Sequence, residues 1–206
     1  MEIPNPDAPA AGDRLRRVDA QPSHRGLSAG DLQKVLDVTR ALAAPFDLMT
    51  MLSEVTAAAR QVLQAERASV WLHDALAEQL VLKVATDVQD IRIPLGTGMV
   101  GACARERRVI NVPDCYADPR FDPSVDRRTG FRTRCALTLP LIDHKDGLVG
   151  VMQVLNRTGG AFDAADEELA GALAAQCAVA LQRVKMLDAL LEGERMKQEL
   201  ELARSV

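Results

Sequence analysis

Four aspartates, Asp114, Asp118, Asp122 and Asp126, recur every four residues in the most polar stretch of the chain. Carboxylates so spaced can cage a divalent cation, or they can cap turns and short helices by accepting nearby backbone N–H bonds. The second chemistry is the commoner one for such a pattern, and no metal is assigned. Upstream, Gly96-Thr97-Gly98 is a glycine turn entering a short helix. It could offer N–H donors to an anion, but it lacks the full phosphate-loop pattern and its Lys-Ser/Thr, so its meaning depends on context. Cys103, Cys115, Cys135 and Cys177 show no CxxC or Cys/His metal spacing and read first as small hydrophobes in a reduced protein. His24, His73 and His144 fall in an N-terminal arm, at a strand end and in a hairpin turn, with no nucleophile paired to them, which points to surface roles.

The elements that position these residues follow from hydrophobic period. Residues 1–27 hold prolines and the cluster Arg14, Arg16, Arg17 with little aliphatic pattern, and are expected to form a flexible arm. Leu32, Val35, Leu36, Val38 and Leu42 predict a helix from about Ser28 to Ala43, and Leu52, Val55, Ala59, Val62 and Leu63 a second one over 48–64. Alternation predicts strands over 68–73, 79–84 and 91–95, then a short helix over 99–105 and a strand over 109–112. Residues 113–130 are too polar for a core element and are expected to run over one face of the sheet, where ordered loops hold ligands. Strands over 134–142 and 148–156 flank a hairpin turn at 143–147. From Ala164 nothing but Gly193 interrupts a helix, whose Leu169, Leu173, Gln176, Ala180, Val184, Leu187 and Leu191 approximate a coiled-coil seam.

These elements make an α+β fold, a six-stranded antiparallel sheet with helices on one face and a ligand loop on the other. A net charge of −4 and 3% aromatic residues argue against nucleic acid. No apolar run approaches the roughly eighteen residues of a membrane helix, and the first thirty residues lack a signal-peptide core, so a cytoplasmic protein without a membrane partner is expected.

The stretch Asn111 to Arg134, followed by Leu139-Pro-Leu and Gly150-Val-Met-Gln-Val-Leu-Asn156, resembles the GAF domains of cyclic-nucleotide phosphodiesterases and bacterial adenylyl cyclases. The likeness covers roughly residues 30–185 and divides the chain into an arm (1–27), a GAF domain (28–185) and a coiled-coil signalling linker (186–206). Asn156, Phe162, Asp166 and Glu167 match a family signature of Asn, Lys, Phe, Asp and Glu, with Arg157 in place of Lys. In the family that signature braces the fold, a salt bridge tying the last strand to the last helix, and the bridge is expected to survive here although guanidinium and ammonium differ in geometry.

The resemblance implies a regulatory, non-enzymatic module whose ligand is a cyclic nucleotide, cAMP or cGMP, with no other cofactor. It implies a pocket lined by Ser69, Met99, Val100, Asp122, Asp126, Thr129, Thr133 and Gln153. Backbone N–H groups at the short helix would then meet the cyclic phosphate, Thr129 and Thr133 would add hydroxyl donors, and Asp126 and Gln153 would read a purine edge. Where several family members stack an aromatic on the base, the second strand here offers Val84, Ala85 and Thr86, which leaves room for another small ligand. Homodimerisation through the terminal helices is expected, as is an output domain beyond Val206. Residues Gln198 to Val206 resemble the linker that precedes the serine/threonine phosphatase domain of bacterial sporulation-type phosphatases, and a cyclase is another possible output. Two alternatives stand beside this reading. One is a thiol enzyme like the GAF-fold free methionine sulfoxide reductases, using Cys103, Cys115 and Cys135; the other is a degenerate module that only dimerises. Covalent bilin attachment is disfavoured because the loop has no Cys-His pair.

Overall fold

The computed structural model describes residues 30, 48–85 and 91–204. The expected arm, and the first expected helix apart from Gly30, lie outside these residues. Helix α1 spans Leu48–Val62 and buries Met51, Leu52, Val55, Ala59 and Val62, a three-four spacing that puts them on one face. Strands β1 (Ala65–Asp74), β2 (Gln79–Ala85) and β3 (Arg92–Pro94) follow, then helix α2 (Gly98–Glu106) and strand β4 (Ile110–Val112). Helix α3 (Ser124–Thr129) precedes strands β5 (Ala136–Ile142) and β6 (Leu148–Arg157), and helix α4 (Ala164–Arg204) ends the described chain.

The six strands form one antiparallel sheet in the order β3-β2-β1-β6-β5-β4. Strand β6 is central and buried almost throughout, because both faces of the sheet are covered. On one face α1 and α4 pack against Val70, Leu137, Leu139, Leu141, Met152 and Val154. On the other, α2 packs with Leu80, Ile110, Cys115, Ala136 and Val151. Alternation along β1 follows from this: Ala68 and Val70 enter the first core, while Ser69 and Trp71 point the other way.

Two expectations change. The polar stretch after β4 is more structured than a loop, holding a short 3₁₀ turn at Cys115–Ala117 as well as α3. Its aspartates supply the reason: Asp114, Asp118 and Asp122 accept backbone N–H bonds from Tyr116, Arg120 and Ser124, each two residues on. The seam expected along α4 also divides. Leu169, Leu173 and Ala180 are buried in the domain's own core, and among the described residues Leu181 is the last buried one. Beyond it Met186, Leu190, Met196 and Leu200 are exposed. A helix of 41 residues is about 60 Å long, and the sheet covers only its first half.

Candidate ligand-binding site

On the α2 face the register lines up Ala85, Ser69, Gln153 and Thr138 across four strands. Within this row Ser69 and Gln153 are the polar centre of a cavity floor whose neighbours along β1 are Arg67 and Trp71. Ile91, Ile93, Leu82 and Ala85 wall one side, the start of α2 (Thr97, Gly98, Met99, Val100) another, and Arg120, Phe121, Asp122, Val125, Asp126 and Thr133 form the roof. The space measures about 280 Å³, near the lower end of the roughly 300–1,000 Å³ of small-molecule sites.

Glycine makes the α2 wall possible. Gly96 and Gly98 take φ of +87° and +65°, which a side chain would strain, and the turn aims the helix start at the cavity. Thr97 adopts the N-cap position without a side-chain cap bond. The first N–H groups of α2 therefore keep the partial positive charge of an uncapped helix end.

Of the residues named from sequence, Ser69, Met99, Val100, Asp122, Asp126, Thr133 and Gln153 line this space. Thr129 is not among the lining residues. It is exposed at the end of α3, where its hydroxyl donates to Val125 O and accepts from Phe131 N–H. Asp126 is nearly buried and accepts from Thr133 N–H (2.6 Å), Thr133 Oγ1 (2.8 Å) and the Tyr116 hydroxyl (3.1 Å). The Thr133 hydroxyl thus spends its proton on Asp126. Gln153 donates to Thr138 Oγ1 at 3.1 Å, and Ser69 Oγ accepts from the Trp71 indole, which leaves the Ser69 proton for another acceptor. Backbone and hydroxyl bonds from Ser124 hold the Asp122 carboxyl below its usual range, and the Arg120 guanidinium does the same for Asp118. The aromatic walls come from Trp71 and Phe121, not from the second strand, whose Ala85 lines the space while Val84 packs on the opposite core. Trp71 was legible as the next inward position after Ser69; nothing in a single sequence marked Phe121.

A brace stands beside the cavity. Asn156 is fully buried at φ +58°, its Oδ1 accepting from Arg134 N–H (2.6 Å) and its Nδ2 donating to Arg132 O and Glu66 Oε2 (both 2.8 Å). The Asn156 Nδ2 bond, with that from the Arg134 guanidinium, holds the Glu66 carboxyl below its usual range. The adjacent Arg157 pairs with Asp166 at 2.5 Å and Asp163 at 3.3 Å. Asp163 and Asp166 also exchange side-chain-to-backbone bonds of 2.9 and 3.0 Å, a reciprocal cap at the start of α4. Phe162 fills the first core, its carbonyl accepting from Asn111 Nδ2, which also donates to Glu167 Oε1 at 2.7 Å and so pins edge strand β4 to α4. Arg157→Ala is expected to lower stability by about 2–3 kcal/mol, seen as a lower urea midpoint, because Asp166 would stay nearly buried without its cation. Arg157→Lys should recover most of that.

The GAF domain family model matches residues 47–181, about two thirds of the chain. This chain belongs to the GAF domain family. Among curated proteins, a cGMP-specific 3',5'-cyclic phosphodiesterase of Drosophila pseudoobscura pseudoobscura is 31% identical to it over 121 residues, 57% of this chain. The match spans only 11% of that relative's length. Among solved structures, the GAF domain of a phosphoenolpyruvate-protein phosphotransferase (ptsP) from Coxiella burnetii superposes with a TM-score of 0.69 at 20% identity, covering 77% of this chain and 96% of that one. Free methionine-R-sulfoxide reductase of Neisseria meningitidis, in complex with its substrate, gives 0.65 at 19%, covering 78% and 95%. Both share the fold of this GAF domain.

The thiols of this GAF domain bear on the likeness to the reductase. All four cysteines are buried. Desolvation pushes the Cys103, Cys115 and Cys177 thiols up to about 12, the reverse of what activates a nucleophilic thiolate. Among the described residues, none of the four lines the cavity. At pH 8 a thiol reagent should label Cys103, Cys115 and Cys177 at least roughly ten-fold more slowly in the native domain than after denaturation, a comparison that mass spectrometry of the labelled peptides makes residue by residue.

Proposed function

We propose that this GAF domain is a sensor without turnover, that its cavity binds a cyclic purine nucleotide, and that occupancy is relayed through α4. The observation that carries the reading is the cavity between the uncapped start of α2 and the polar row of the sheet. An anionic cyclic phosphate suits the first, since N–H groups at a helix start favour negative charge. A purine suits the second, where Gln153 Oε1, the Ser69 proton and the remaining acceptor capacity of Asp126 face a base edge between Trp71 and Phe121. The cGMP-specific phosphodiesterase relative supports cyclic nucleotides as the class and makes cGMP the first ligand to test.

Relay follows from adjacent residues. Asn156 grips both sides of Thr133 through Arg132 O and Arg134 N–H, and Arg157 grips the start of α4 through Asp166. A ligand that prefers one setting of the roof would bias α4 by no more than that preference in affinity. The exposed half of α4 would pair with a second copy in a cytoplasmic dimer and lead to an output domain beyond Val206, such as a phosphatase or cyclase.

Calorimetric titration of cGMP and cAMP tests the reading on wild type and on the double variant Asp126→Ala, Thr133→Ala. Binding of at least one nucleotide is expected, weakened ten-fold or more in the variant, roughly the loss of one or two hydrogen bonds involving a charged group. Equal affinity in both proteins would remove these residues from the site.

A further inference from the structure

Tyr116 lies outside the cavity lining, but its side chain touches three parts of the roof. Its hydroxyl donates to Asp126 Oδ2 at 3.1 Å. Its ring meets Phe121 with centroids 5.0 Å apart and a tilt of 55°, and the Arg132 guanidinium lies 4.5 Å from its ring centre. Phe121 and Asp126 line the cavity, and Arg132 precedes Thr133, which also lines it. Partial desolvation and the bond to Asp126 both push the Tyr116 hydroxyl above its ordinary range, so at neutral pH it remains a donor. The backbone beneath it is fixed, because Cys115, the preceding residue, is fully buried and donates its N–H to Arg134 O at 2.8 Å.

We propose that Tyr116 is the positioning residue of the cavity roof: one side chain, anchored through Cys115, holds Phe121, Asp126 and Arg132 together, so the roof opens as a unit when that side chain lets go. The inference rests on the cavity being a ligand site, but it concerns how entry and escape are controlled. On this proposal the roof's mobility paces ligand exchange, and that mobility is set by a residue outside the cavity lining.

A reporter is already in place, since Trp71 is the single tryptophan of the chain and lines the cavity floor. Acrylamide quenching of its fluorescence reads roof opening whatever the ligand. Tyr116→Phe keeps the ring contacts and removes the hydroxyl; Arg132→Gln keeps the hydroxyl bond and removes the cation over the ring. Each is expected to raise the quenching constant roughly two- to five-fold with the thermal midpoint nearly unchanged, as a partly exposed hydrogen bond or cation–π contact allows. Combined with Asp126→Asn, Tyr116→Phe should add little further, because both changes release the same latch. In stopped-flow binding of cGMP, dissociation should quicken by a similar factor.

Unchanged quenching in Tyr116→Phe and Arg132→Gln, or a fall in thermal midpoint that accounts for all the quenching, would overturn the proposal. Failure of the wild-type protein to bind cGMP would count against the nucleotide reading instead, and the quenching comparison would still decide the role of Tyr116.

Discussion

Asn156→Ala is expected to lower the stability of the domain by about 3–5 kcal/mol. The side chain is fully buried, and its amide serves Arg134 N–H, Arg132 O and Glu66, with a longer bond from Cys135 N–H. Alanine leaves these groups without that partner, and the Cys135 N–H among them is buried away from water. Alanine also sits less comfortably at φ +58°, a left-handed conformation that asparagine tolerates. The two costs separate experimentally. Asn156→Gly restores the conformation but not the amide, so the order of stability should be Asn, then Gly, then Ala, with roughly 1 kcal/mol between the last two. At about 2–4 °C per kcal/mol for a chain of this size, the alanine variant should melt about 6–20 °C below wild type in a calorimetric scan. A shift within 2 °C would mean that the brace is ornamental to stability.

The second large effect is on binding. Ala85 stands opposite Ser69 on β2 and lines the cavity, so Ala85→Trp places an indole in the space between Ser69 and Ile91. An indole is similar in shape and size to a purine base, so in a cavity of about 280 Å³ it takes the space a base would need. Strands accept tryptophan, and the hollow is largely apolar around that position, so the melting temperature should stay level or rise slightly. Nucleotide affinity should fall by a hundred-fold or more, about 2.7 kcal/mol, because ligand and indole compete for one volume. Full affinity in a well-folded Ala85→Trp protein would put the ligand elsewhere.

Most of the architecture was legible because it rests on period. The three-four spacing of Met51, Leu52, Val55 and Ala59 and the alternation of Ser69, Val70 and Trp71 each select an element and a face. Aspartate chemistry was legible too: Asp114, Asp118 and Asp122 accept the backbone bonds that their type favours. Period does not reveal which partner satisfies a polar side chain. Thr129 and Thr133 look alike in sequence, yet one caps the end of α3 in solvent and the other is locked to Asp126 beneath the roof. Tyr116 gave no signal, since its importance lies in contacts with Phe121, Asp126 and Arg132, residues 5 to 16 positions away. The first half of the α4 seam is a related case. A three-four repeat marks an apolar stripe without saying what covers it, and in Leu169, Leu173 and Ala180 the covering surface is the domain's own sheet.

A crystal structure of the domain grown with saturating cGMP bears most directly on the whole account. The phosphate should lie within hydrogen-bond reach of the N–H groups that open α2, around Met99 and Val100, with the base between Trp71 and Phe121 over Gln153. A nucleotide found only on the outer surface, or a cavity empty at saturation with its roof closed, would contradict it.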